Sequence, residues 1–315
     1  MSGSYKISLI IPVYKTEKTL IRCLDSCINA FLDYLHQVEI IVINDGSPGD
    51  PQSILTPYLT KYPNIKYYYQ KNRGLSGARN KGISLSNGEY IWCIDSDDTI
   101  SNDCAEYIMG ILDRKLDVYT VGYSLVDNEG NLISEVRPDI TIASGKELLL
   151  TYRQPMGAPF YIISKKYLEQ DNLMFYEGIY HEDNLFNFQL LYNANSLAAI
   201  DVIAYNYYQY GSGTITSTPS LKRSKDLLLI SEMLYEFLMS NSTTRGVRPY
   251  SGYIGLCLTS AYHNLKRCNI ESRRFFFLQL KEKKTFLYKL LKIQRLKYVV
   301  FISYLLIQSF FYAKE

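Results

Sequence analysis

Residues 90–100 read YIWCIDSDDTI, an apolar run followed directly by Asp95, Ser96, Asp97 and Asp98. Carboxylates packed so closely repel one another, and burying them is costly. Such a cluster is either a solvated turn or a place prepared for positive charge. An Asp-x-Asp at the end of a strand offers the hard oxygen ligands that Mg²⁺ and Mn²⁺ favour, together with bound phosphate. The bland reading is an Asx-type turn leading into a helix near Asp103, with Ser101 or Asn102 as its cap.

Two more stretches carry residue types suited to chemistry. In NRGLSGARNKGI, residues 72–83, Gly74 and Gly77 permit close backbone approach. A helix starting near Ser76 would aim free N–H groups at an anion, with Arg73 and Arg79 adding charge. A plain loop and helix cap fits the same residues. In YHEDNLF, Glu182 and Asp183 open a helix. There they either favour the helix dipole or supply a general base.

These residues need elements to position them. KISLIIPVY (6–14) and VEIIVINDGS (38–47) are continuous apolar runs, the pattern of strands buried on both faces. Between them Leu20, Leu24, Ile28, Phe31 and Leu35 fall at helical spacing. NIKYYYQ reads as a third strand, SGARNKGISLS as a helix and EYIWCID as a fourth strand. Alternating strands and helices predict a parallel α/β sheet, whose ligands sit beyond the carboxyl ends of the strands. Those ends carry Pro12-Val13-Tyr14, Asn44-Asp45-Gly46-Ser47, Asn72-Arg73-Gly74 and Asp95-Ser96-Asp97-Asp98. After residue 115 the pattern changes to a hairpin around Asn128–Asn131 and a short helix at GKELLLTYRQ. Residues 222–315 are helical in pattern, with a break at 240–252.

The formal net charge of +3 conceals a split: residues 1–265 carry 22 Lys and Arg against 28 Asp and Glu, and residues 266–315 carry 12 against 3. The tail ends in the uncharged run YVVFISYLLIQSFFY, whose 15 residues are too few for the ~20 of a bilayer span. Lysines alternating with Leu and Phe upstream of it suit a helix lying on an anionic membrane surface. The alternative is a helical pair packed on the body, or a homodimer interface through the C-terminal helices. No nucleic-acid recognition motif accompanies the charge. The six cysteines show no metal-ligand spacing, and Cys23 and Cys27, one helical turn apart, read as core residues. The N-terminal MSGSYKISLIIPVY does not read as a secretory leader, so a reducing cytoplasm is expected.

The segments SLIIPVYKTEKTLIRCLDS, EIIVINDGSPGD, NRGLSGARNKGI, GEYIWCIDSDD and YHEDNLF occur in the order and spacing of the family 2 glycosyltransferases. Over about residues 5–215 the chain resembles that family. The resemblance implies a GT-A (Rossmann-like) mixed sheet flanked by helices, with a C-terminal helical appendage. It implies a catalytic domain over residues 1–220 (a nucleotide-sugar half to about 115, an acceptor half over 116–220) and a helical region over 221–315. The implied activity is inverting transfer of a sugar from a nucleotide sugar, in particular a UDP-sugar, to a saccharide or lipid-linked saccharide, with Mn²⁺ or Mg²⁺ as cofactor. The expected setting is synthesis of bacterial surface polysaccharide.

Residue by residue, the resemblance sets Pro12, Val13 and Tyr14 at the base, with Glu17 close behind, and Asp45 on uracil. Asn72, Gly74, Gly77, Ala78, Arg79 and Asn80 fall along the nucleotide. Asp95, Ser96 and Asp97 meet the ribose and diphosphate, with Asp97, Asp95 and Asp98 at the metal. Asp183, with Glu182, is the implied catalytic base. One departure stands out: residues 205–216 read YNYYQYGSGTIT, with Gln209 and Tyr210 where the family commonly has cations. That leaves the diphosphate to His181, Arg79 or backbone N–H groups. Other readings are a catalytically inactive nucleotide-sugar-binding module and a glycoside hydrolase. The hydrolase leaves the nucleotide-type strand ends unexplained.

Overall fold

The structure is a computed structural model and describes residues 5–210 and 218–311. The chain divides into two compact units. Among the described residues, one comprises 5–178 and 186–210 and the other comprises 179–185 and 218–311.

In the first unit the four expected strands form the parallel half of a sheet. The segments follow in the order β1 (Ile7–Val13), α1 (Glu17–Ala30), β2 (Val38–Asn44), α2 (Pro51–Lys61), β3 (Ile65–Tyr69), α3 (Gly74–Leu85) and β4 (Tyr90–Cys93). Every residue of β1 and β2 is buried, as expected for strands covered on both faces. Helix α1 turns Leu20, Cys23, Leu24, Cys27 and Ile28 into the core, so both cysteines are packing residues. Asp50 caps α2 by accepting from Ser53 N, and Pro51 starts it, where a missing N–H costs nothing. Helix α3 lies against β1 at Gly82, where a Cβ would collide with the Ile10 side chain. It begins at Gly74, two residues before the expected start at Ser76.

Next come β5 (Thr99–Ile100), α4 (Ala105–Ile111), β6 (Val118–Val126), β7 (Leu132–Val136), α5 (Gly145–Thr151), β8 (Tyr161–Ser164), α6 (Lys165–Gln170), α7 (Glu182–Asn193) and β9 (Leu197–Tyr208). The sheet order is β3-β2-β1-β4-β8-β6-β9-β5, with β7 paired to β6 as the predicted hairpin. Beyond β4 the sheet is no longer purely parallel. Strand β8 runs antiparallel to β4, β6 antiparallel to β8, β9 parallel to β6, and β5 antiparallel to β9. The sheet is therefore mixed and flanked by helices. The predicted cap at Ser101 or Asn102 is not formed: α4 starts at Ala105 after Cys104, without a side-chain cap.

A buried carboxylate locks the amino ends of these strands. Glu39 accepts hydrogen bonds from Ser8 Oγ (2.8 Å), Asn87 N (2.8 Å) and Lys66 Nζ. Burial works against its charged form, but these bonds outweigh it and hold its pKa below the usual carboxylate value.

The second unit holds the first residues of α7 and the helices α8 (Leu221–Asn241), α9 (Thr244–Val247), α10 (Gly252–Lys266), α11 (Ile270–Glu282), α12 (Lys284–Ile293) and α13 (Leu296–Phe311). The predicted break at 240–252 falls between α8 and α10 and contains the short α9. Asn264 Nδ2 donates to Ser224 Oγ (2.6 Å), and Ser224 Oγ to the Ala261 carbonyl (2.8 Å), a buried link between α8 and α10. A Cβ on Gly255 would strike the Tyr298 ring, so the glycine lets α10 and α13 approach closely. Among the described residues no helix is long and apolar enough to cross a membrane.

Candidate active site

Strand register brings the polar strand ends of the first unit together. Val13 pairs with Asn44 and Asn44 with Tyr69, so Tyr14, Asp45 and Gln70 emerge side by side. Asp45 N donates to the Val13 carbonyl (2.9 Å). The Asp45 side chain is buried, and its Oδ1 accepts from Gln70 Nε2 (2.7 Å) and Arg73 N (2.9 Å). Its Oδ2 takes no such bond among the described residues and remains available as an acceptor. Asn72 Nδ2 donates to the Asp45 carbonyl (2.9 Å). Gly46 has φ +69° and sits where a Cβ would meet Asn72 N at 2.9 Å, so the Asp-Gly turn needs its glycine twice over. Pro12 and Val13 are buried and Tyr14 is exposed. Glu17 packs over Gly49, and its Oε1 is buried without a hydrogen-bond partner among the described residues.

Gly74, with φ +76°, turns the chain into α3, and Gly77 sits against Arg73, where a Cβ would meet Arg73 Cβ at 2.5 Å. Arg73 itself is bound to Glu177 (2.7 Å). Arg79, nearly fully buried, pairs its Nη2 with Asp95 Oδ1 at 2.7 Å.

The four residues after β4 face different ways. Ser96 Oγ is hydrogen-bonded to Thr16 Oγ1 (2.7 Å). Asp98 turns into the sheet: its Oδ2 accepts from Tyr205 Oη (2.7 Å) and its Oδ1 from Tyr208 N (2.8 Å). Asp97 is half-buried, and no protein side chain donates to its carboxylate among the described residues. Burial, then the neighbouring Asp95 charge, push its pKa up to about 6, against the opposing pull of Arg22 and Arg79. Burial and the Asp97 and Asp95 charges also push Asp98 well above the carboxylate range. A half-buried carboxylate to which no side chain donates among the described residues, beside a second carboxylate, fits a hard divalent cation. Among the described residues no three His, Cys, Asp or Glu side chains are grouped to hold a metal alone. A cation there would complete its shell with diphosphate oxygens and water, as Mg²⁺ commonly does.

Two residues not singled out in the sequence join this group. Gln70 grips Asp45. Arg22, on α1, donates from Nη2 to the Asp97 carbonyl (2.6 Å) and to Tyr210 Oη (2.7 Å). Of the stretch 205–216, residues 205–210 are placed by β9 and its end, whereas the Gly-Ser-Gly-Thr-Ile-Thr segment lies outside the described residues.

In the second unit, Glu182 and Asp183 open α7. Glu182 is buried; Asp183 is half-buried, and its Oδ1 accepts from Asn184 N (2.9 Å). The preceding His181 has φ +63°, a left-handed conformation that costs a side chain energy and collects at functional turns. Arg223 donates to His181 Nε2 (3.4 Å), and Tyr180 N donates to Asp226 Oδ2 (2.9 Å). Burial, reinforced by Arg223, lowers the His181 pKa and favours the neutral ring, which can accept the Arg223 bond at Nε2.

Residues 8–173 match the family model described as Glycosyl transferase family 2, just over half of the chain. An uncharacterized glycosyltransferase of Haemophilus influenzae is 30% identical over 246 residues, 74% of this chain and 94% of its own length. Chondroitin synthase of Escherichia coli is 34% identical over 131 residues, 41% of this chain and 18% of that enzyme. The chain spans from 13% to 64% of the length of this and six other curated relatives. Among solved structures, S. aureus TarS 1–349 in complex with UDP-GlcNAc superposes with a TM-score of 0.67 at 18% identity, over 91% of this chain and 81% of that one. At that identity the match speaks to the fold, a GT-A-like mixed sheet with a helical C-terminal region.

Proposed function

The chain belongs to glycosyl transferase family 2, and from that premise we propose that it transfers a sugar from a UDP-sugar, with inversion, to a hydroxyl of a saccharide or lipid-linked saccharide. The observation that carries this reading is the Asp97 carboxylate, to which no side chain donates among the described residues, at the sheet edge that also presents Asp45. The open Asp45 Oδ2 suits the N3–H donor of uracil, and Tyr14 beside it offers an aromatic face. That TarS takes UDP-GlcNAc on a similar fold supports the choice of uridine.

Asp97 and Asp95 would hold Mg²⁺ or Mn²⁺. When bound, the cation supplies neutralising charge to the departing diphosphate. Asp98, with both oxygens engaged by β9, serves to set the turn. Asp183 removes the proton from the attacking acceptor hydroxyl, which a single displacement requires. Its exposure, greater than that of Glu182, supports choosing it over its neighbour. An assay of UDP release over a panel of UDP-sugars, with and without acceptor, tests the reading.

The similarity to chondroitin synthase and the character of the tail support the choice of acceptor class. Helix α13 exposes Val300, Tyr304, Ile307, Phe310 and Phe311, and the neighbouring helices expose Lys281, Lys284, Lys289 and Lys292. Apolar side chains with clustered lysines suit the anionic face of a membrane. We place the enzyme there, peripherally on the cytoplasmic side.

A further inference from the structure

We propose that Arg22 is a positioning residue for sugar transfer: it fixes the Asp97 peptide, and through it the Asp97 carboxylate, in the orientation that meets the metal and the donor diphosphate. The inference rests on the reading of Asp97 given above and adds a residue to which the sequence analysis assigned no role.

Three contacts converge on one peptide. The Asp97 carbonyl accepts from Arg22 Nη2 (2.6 Å) and from Tyr210 Oη (2.8 Å), and Nη2 also donates to that Tyr210 oxygen (2.7 Å). Both lone pairs of the carbonyl are thus engaged. The Arg22 guanidinium carbon lies 3.7 Å from the Tyr208 ring centroid, and Tyr208 N holds Asp98 Oδ1 (2.8 Å). Residues 97 and 98 are therefore tied from two elements, α1 and the end of β9. With the Asp97 backbone held, only two side-chain torsions separate its carboxylate from a defined position.

The bland alternative is an arginine that merely joins α1 to the sheet. Against it stands the state of the guanidinium itself. Arg22 Nε is buried without a hydrogen-bond partner among the described residues, a loss that a bond selected for stability alone would avoid. Among the described residues its bonds go to the 97 peptide and to the tyrosine that shares it. Planarity matters here, because a fork stacked on an aromatic ring cannot be reproduced by an ammonium.

The test compares full-length wild type, Arg22→Met, Arg22→Lys and Tyr210→Phe. Free Mn²⁺ is followed by electron paramagnetic resonance during titration in the presence of UDP, beside UDP affinity without metal, transfer kcat and thermal melting. Arg22→Met should weaken Mn²⁺ binding about tenfold and lower kcat at saturating donor by a similar factor, as loss of a residue that orients a ligand typically does. UDP affinity without metal should be unchanged. Arg22→Lys should fail to rescue, and Tyr210→Phe should shift the same quantities less. Variants with wild-type Mn²⁺ affinity and kcat, or with altered melting alone, overturn the inference, and rescue by Lys reduces Arg22 to a local charge and overturns it too. Wild type that binds no Mn²⁺ with UDP overturns the metal reading itself, and this inference with it.

Discussion

Arg79 on α3 and Asp95 after β4 form an ion pair at 2.7 Å, in which the arginine side chain is 3% exposed and the carboxylate 27%. Two segments implied to line the nucleotide are thereby joined before any ligand arrives. Removing the arginine leaves Asp95 half-buried beside Asp97 with less opposing charge. Arg79→Met should lower the unfolding free energy in urea by about 2 kcal/mol, less than for a fully buried pair because Asp95 reaches solvent. UDP binding should weaken in the same variant. A variant as stable as wild type would show that the pair is incidental.

Asp183→Asn should keep UDP affinity and lose ~10²-fold or more in transfer rate, the effect of deleting a general base. Steady-state kinetics and calorimetry with UDP measure the two separately. If Glu182→Gln shows that loss while Asp183→Asn remains active, the base is the neighbouring residue.

Asp45 and Gln70 should set the nucleobase. UDP should raise the melting temperature and GDP much less, because ligand that binds only the folded state stabilises it in proportion to its affinity. Asp45→Ala should abolish the difference. Greater stabilisation by GDP would reject uracil as the base read by Asp45.

Glu39 gives a pH signature in stability. Its folded-state pKa lies below its ordinary value of 4.5, so the unfolded state binds the proton more readily. Its contribution is therefore full above pH 4.5 and is lost as pH falls through the lower folded value. Glu39→Gln should cost about 2 kcal/mol at neutral pH, the scale of hydrogen bonds to a charged group. That deficit should shrink in acid, as read by urea unfolding between pH 6 and 3. A deficit independent of pH would mean that Glu39 is not ionised in the fold.

The full chain should float with vesicles containing anionic lipid at low salt, not with neutral vesicles, and detach as salt rises. Failure to float, with a second copy found by sedimentation, would assign the exposed face of α13 to a homodimer.

Much of this was legible in the sequence because continuous apolar runs can hardly be anything but doubly covered strands. Once β1, β2 and β4 are placed, Tyr14, Asp45 and Asp95 must emerge at one edge. Beyond the β6–β7 hairpin, the antiparallel half was not readable from residue patterns alone. Strand β8 has four residues and enters the sheet beside β4, about seventy positions earlier in sequence, a pairing that no local signal marks. The cap at Ser101 or Asn102 failed because residues 99–100 pair with β9 as a strand and α4 begins later. Arg22 escaped notice for a related reason. In sequence it is one polar residue on the flank of an amphipathic helix, and its partners lie 75 and 188 positions away.

The central claim, transfer from a UDP-sugar at a metal held by Asp97, is tested most directly by UDP release from wild type and Asp97→Ala with Mn²⁺, with Mg²⁺ and with chelator. Acceptor-dependent release should require the metal and fall at least ~10²-fold in Asp97→Ala, while the melting temperature stays near that of wild type. Release undiminished by chelator, or retained in Asp97→Ala, would contradict it.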